Sequence, residues 1–101
     1  MEIKIVLAGA SGVIGATARR DSIQSYELEH LIRRAWENAE WDSHYAELHI
    51  DGTYICDDDD LSKLDDFVIS SYRGIYTLAY DGGNAELSTT NLQNISDFFR
   101  R

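Results

Sequence analysis

Tyr45-Ala46-Glu47-Leu48-His49-Ile50-Asp51-Gly52-Thr53-Tyr54-Ile55-Cys56 is the stretch whose pattern decides the fold class. From Tyr45 the residues alternate: Ala46, Leu48 and Ile50 fall on one face, Tyr45, Glu47 and His49 on the other, which is the period of a half-buried strand. Asp51-Gly52 then supplies the two residue types that tolerate positive φ in a type I′ turn, and Thr53-Tyr54-Ile55-Cys56 returns as the partner strand. Strands joined by so short a turn run antiparallel, so an antiparallel sheet is expected, without helical crossovers between parallel strands.

The flanks agree with that reading. Segment 2–8 alternates, with Ile3, Ile5 and Leu7 on one face, and Gly9-Ala10-Ser11-Gly12 reads as a turn into a second strand or an early helix at 13–19. From Ser25 the period lengthens. Leu28, Leu31, Ile32, Ala35, Trp36 and Ala39 form one helical stripe over 25–40, with Ser25 suited to the N-cap and Glu27 and Glu29 in the positive first turn. Asp60 is placed to cap a second helix over 60–71 bearing Leu61, Leu64, Phe67 and Val68. Segment 74–80 is a strand, Asp81-Gly82-Gly83-Asn84 a turn and 85–87 a short return strand. Thr90 with Gln93 resembles a capping box opening a last helix over 91–100, with Leu92, Ile95, Phe98 and Phe99 inward. The expected whole is one α+β domain over 1–101, an antiparallel sheet of hairpins with about three helices. The 31-residue offset between the Leu61 and Leu92 patterns also allows a repeat of two strands and a helix.

Charge is distributed very unevenly. Residues 1–36 carry five basic and four acidic groups, and 73–101 carry three of each. Residues 37–72 carry eleven acidic groups against the single Lys63, so this third of the chain owns the whole net charge of −9. Direct binding to a phosphate backbone, which needs Lys and Arg to displace counterions, is excluded as the expected function. No run of about eighteen apolar residues, the length a membrane span requires, occurs in the sequence. The start, acidic at Glu2 and alternating, differs from a signal peptide, and Cys56 has no cysteine partner; a cytosolic protein is expected.

Gly9-Ala10-Ser11-Gly12-Val13-Ile14-Gly15, following a strand, resembles the glycine fingerprint of NAD(P)-dependent epimerases and short-chain reductases. That resemblance implies backbone amides approaching a pyrophosphate at a helix N-terminus. It is confined to the start of the chain: helix continues near residue 35, where the family places a second parallel strand and its ribose-holding acid, and no Tyr-x-x-x-Lys follows. The competing reading is a glycine-containing turn between two antiparallel strands.

Other constellations are incomplete. Four consecutive aspartates at 57–60 point in different directions and lack the alternation, glycine and terminal Glu of a calcium loop. His30, His44 and His49 share no metal-ligand spacing, and carboxylates beside Cys56 would raise its thiol pKa and oppose nucleophilic use. Ser11, Ser70 and Ser71 have no His in a recognisable arrangement. No catalytic residue, cofactor or metal is therefore expected. Aromatic residues interleaved with carboxylates, Tyr45, Glu47 and His49 on one strand face with Trp41 and Asp42 just before, are what a surface for an arginine- and lysine-rich protein would contain.

The leading expectation is a non-enzymatic protein-binding inhibitor whose acidic face, 37–72, occupies the basic, nucleic-acid-binding groove of a partner protein. Its contact residues would be Glu37, Glu40, Trp41, Asp42, Tyr45, Glu47, Asp57, Asp58, Asp59, Asp65 and Asp66. In type this is similar to phage anti-CRISPR and anti-restriction inhibitors and to the immunity proteins of nuclease toxins. The alternatives are a small nucleotide- or ligand-binding module using residues 9–15 and an accessory structural domain whose acidity serves solubility.

Overall fold

Alternation along β1 (Glu2–Leu7) and β4 (Ala46–Ile50) sets the first sheet of the computed structural model, which describes residues 1–7, 13–39 and 45–101. Ile3, Ile5, Leu7, Ala46, Leu48 and Ile50 all lie on its buried face. β1 and β4 pair antiparallel, Ile3 opposite Ile50 and Ile5 opposite Leu48. β2 (Val13–Arg19) and β5 (Thr53–Asp57) complete the order β2-β1-β4-β5. A second antiparallel sheet runs β3-β6-β7-β8, from β3 (Ser22–Gln24), β6 (Val68–Tyr72), β7 (Ile75–Tyr80) and β8 (Ala85–Thr89). The α+β class with antiparallel hairpins is thus the architecture observed.

Three helices join the sheets. α1 (Ser25–Asn38) packs on β1, β2 and β3 through Leu28, Leu31, Ile32 and Ala35. α3 (Leu92–Phe99) packs on β5 and β8 through Leu92, Ile95, Ser96 and Phe99. The short α2 (Asp58–Ser62) sits against β4 and β5. Because α1 and α3 each touch both sheets, the buried side chains form a single apolar cluster. Phe67 and Phe99 meet edge to face within it, centroids 5.3 Å apart. The buried hydroxyl of Ser96 donates to the Ile55 carbonyl at 2.6 Å, which fixes α3 on β5.

Two bulges shape the first sheet. Ile5 pairs with Ala16 and Val6 with Ile14, leaving Gly15 as the extra residue of β2. A Cβ at Gly15 would lie 2.5 Å from the Ala35 Cβ and 3.1 Å from the Leu7 Cγ, so the missing side chain is what lets α1 approach the sheet. In β5, Leu48 pairs with Cys56 and His49 with Tyr54, leaving Ile55 extra. That slip turns two consecutive residues, Ile55 and Cys56, toward the core.

The hairpin turns follow from positive φ. Asp51 (φ 47) and Gly52 (φ 82) join β4 to β5 as expected of a type I′ pair. Arg73 (φ 50) and Gly74 (φ 79) do the same between β6 and β7, a hairpin the sequence reading did not anticipate.

Several expectations are corrected. The helix expected over 60–71 spans only Asp58–Ser62, and 68–72 is strand β6. Asp66 adopts φ 49, which a helix cannot continue through, and the β-branched Val68 and Ile69 pair with β3 and β7. The cap of α2 is Asp57, not Asp60: the Asp60 N–H donates to the Asp57 carboxylate at 2.8 Å, and the Asp57 N–H to that of Asp60 at 3.3 Å. Gln24 caps α1 in place of Ser25, its N–H donating to Glu27 at 3.2 Å. Asn91 caps α3 in place of Thr90, accepting from the Gln93 N–H at 3.0 Å. Phe98 is only half-buried. The repeat of two strands and a helix survives only loosely, since β3 and β8 each add a strand to the outer units.

Candidate functional site

The four aspartates at 57–60 diverge because they straddle a strand end and a helix start. Asp57 caps α2 and Asp60 closes the reciprocal bond, with Lys63 at 3.5 Å from its carboxylate. Asp58 turns back and accepts from the Ala46 N–H at 3.1 Å, holding the start of β4. Asp59 is exposed, beyond these bonds. Among the described residues no group of three or more His, Cys, Asp or Glu side chains could hold a metal ion.

Beside this corner lies a groove of about 360 Å³ between α1 and the segment carrying α2. Leu28, Ile32, Trp36, Leu61, Leu64 and Phe67 supply its apolar lining. Its polar lining is Ser25, Glu29 and Arg33 from α1, faced by Asp58, Asp59, Asp65 and Ser62. The helix stops at Ser62, and residues 63–67 then run back to the start of α1, where the Ser25 N–H donates to the Phe67 carbonyl at 2.9 Å; the groove lies between them. Glu29, Arg33, Asp59 and Asp65 are all exposed, and none of the ion pairs among the described residues involves them.

The outer face of the first sheet is a second acidic region. Glu47 accepts from the Tyr45 hydroxyl at 3.4 Å and meets His49 Nε2 at 3.2 Å, and His49 packs edge to face on Tyr54 with centroids 5.6 Å apart. Asp57 lies opposite Glu47 in the strand register. Burial first, and then the Glu47 and Asp57 carboxylates, push the Tyr45 hydroxyl above its ordinary range. Burial, then Tyr45 and the same carboxylates, push Tyr54 up to about 12. Both tyrosines therefore remain hydrogen-bond donors at neutral pH. Cys56 is fully buried, and burial followed by Asp60 and Asp57 drives its thiol pKa strongly upward, the opposite of what a nucleophile requires.

The residues expected at the contact surface thus divide. Asp58, Asp59 and Asp65 converge on the groove, Tyr45, Glu47 and Asp57 on the sheet corner, and Asp66 and Glu37 are exposed on the loop after α2 and near the end of α1. Glu40, Trp41 and Asp42, and with them His44, lie outside the described residues. Within the acidic segment, Asp51 and Asp60 belong to the fold: Asp51 accepts from the Glu2 N–H at 2.7 Å and from the Tyr76 hydroxyl.

In the glycine stretch at 9–15, residues 13–15 belong to strand β2, antiparallel to β1, where the dinucleotide fingerprint has a helix. Gly9, Ala10, Ser11 and Gly12 lie outside the described residues. No helix among the described residues is long and apolar enough to cross a membrane. The groove itself, with Arg33 and Glu29 on its α1 side, was not read from the sequence, because it is made by two segments some thirty residues apart whose meeting is purely tertiary. Neither protein-family models, nor curated proteins, nor solved structures match this chain.

Proposed function

We propose that this protein is a non-enzymatic inhibitor, acting in the cytosol, whose acidic surface over 37–72 occupies a basic, nucleic-acid-binding groove of a partner protein. The observation that carries the reading is the placing of exposed Asp59 and Asp65 together at one groove, beside Asp58, with no cation among the described residues paired to either exposed carboxylate. Carboxylates held on a folded corner keep their charge for an approaching partner, and a field concentrated on one face steers association with a basic surface. Inhibition then follows from occlusion: nucleic acid cannot enter a groove already filled, and the protein turns nothing over.

The test uses the partner recovered by affinity capture on the immobilised protein. Asp59→Asn, Asp65→Asn and Asp66→Asn remove charge without touching the Asp57 cap or the Asp58 bond to Ala46. Asn also tolerates the positive φ of residue 66. The triple variant should bind at least about tenfold more weakly at low salt, at unchanged stability, with the gap closing as salt rises. Equal affinity of variant and parent at low salt and at high salt would reduce the acidic face to a solvated surface.

A further inference from the structure

We infer that the groove between α1 and α2 is an anchor socket for one bulky apolar side chain of a partner segment whose neighbours are arginine or lysine; this rests on the inhibitor reading above. Charge alone would need only an acidic surface, yet here the carboxylates of Glu29, Asp58, Asp59 and Asp65 surround an apolar hollow. At about 360 Å³ it lies at the small end of the range of about 300–1,000 Å³ typical of ligand clefts, room for an apolar side chain with part of its flanking segment. Leu64 and Trp36, both half-buried, give that side chain a surface to desolvate, and the carboxylates on the lip meet the flanking cations. Arg33 is the one cation among the described residues of this lip, and it opposes a basic occupant. Removing it therefore has a sign opposite to the one an acidic ligand would give.

Two capped peptides of equal charge test the assignment, each with two arginines on either side of a central residue that is leucine in one and glycine in the other. Affinity is measured by calorimetry and the contact located by amide shifts in NMR spectra. The leucine peptide should bind about tenfold more tightly than the glycine peptide, the return expected from burying one such side chain, with shifts at Leu61, Leu64 and Phe67. Arg33→Glu, at an exposed position that leaves the fold intact, should tighten both peptides severalfold. Equal affinity for the two peptides would overturn the socket while leaving the charge-based inhibitor reading standing. Failure of both to bind at millimolar concentration and low salt would overturn both. Dimerisation of the protein with the same amide shifts, abolished by Ile75→Asp, would assign the groove to a second copy through the exposed hairpin tip of Tyr72 (70%) and Ile75 (46%), and would overturn the basic-partner assignment.

Discussion

Tyr76 donates its hydroxyl to the carboxylate of Asp51, tying the β4–β5 turn of one sheet to strand β7 of the other. The same carboxylate accepts from the Glu2 N–H at 2.7 Å, while the Asp51 N–H donates to the Glu2 carbonyl at 2.8 Å. One turn residue therefore closes β1 and bridges the sheets. Burial works against the charge on Asp51, but these two donated bonds, together with the N-terminal ammonium and Arg19, outweigh it and hold its carboxyl below the usual 3.8. The bond to Asp51, with burial second, raises Tyr76 above 10.0.

The pH dependence follows in sign. A depressed carboxyl contributes stability that is present above 3.8 and lost as pH falls through the folded value. A raised phenol contributes stability that is present below 10.0 and lost as pH rises through its folded value. Tyr76→Phe should cost about 1 kcal/mol or less at neutral pH, since the pair is exposed, and should flatten both limbs. Urea denaturation of the two proteins across pH is the check; parallel stability curves for parent and variant would contradict the bond's role.

Gly15→Ala should destabilise by about 1–3 kcal/mol, because its Cβ would collide with that of Ala35. Ala35→Gly in the same chain should recover part of the loss, despite its own helix penalty of about 1 kcal/mol. Denaturation of the single and double variants measures the coupling. Simple additivity would show that Gly15 is not there for the approach of α1.

Asp57→Ala should cost about 1 kcal/mol through loss of the α2 cap, whereas Asp57→Asn should stay within a few tenths, because an amide oxygen still accepts from the Asp60 N–H. Thermal unfolding distinguishes the two, and a larger loss at Asp60→Ala than at Asp57→Ala would return the cap to Asp60.

Cys56 should resist thiol reagents in the native protein at pH 8 and react fully in denaturant, since it is buried and its thiol is pushed up by burial and by Asp60 and Asp57. Rapid native labelling would mean that the bulge at Ile55 opens readily.

What the sequence made legible was the local chemistry. Ala46, Leu48 and Ile50 with Asp51-Gly52 specify a hairpin with little help from elsewhere, and the stripe from Leu28 to Ala35 specifies α1. Strand β6 was hidden because Leu61, Leu64 and Phe67 recur at helical spacing although only Leu61 is helical, and because Arg73-Gly74 is a weak turn signal beside Asp-Gly. A run of four aspartates leaves the capping residue undecided until the helix start is known. The acidic segment was legible as charge, but its division into bonds that hold the fold and carboxylates that face outward depends on partners such as Ala46, Glu2 and Tyr76, distant in sequence.

The most direct measurement of occlusion is competition. A labelled nucleic acid is bound to the captured partner, and the protein is added in increments at low salt while release is followed by fluorescence anisotropy. Occupation of the same groove predicts complete release at about one protein per partner, with the Asp59, Asp65 and Asp66 triple Asn variant displaced to higher concentration. A ternary complex, in which partner, nucleic acid and protein sediment together without release, would contradict it.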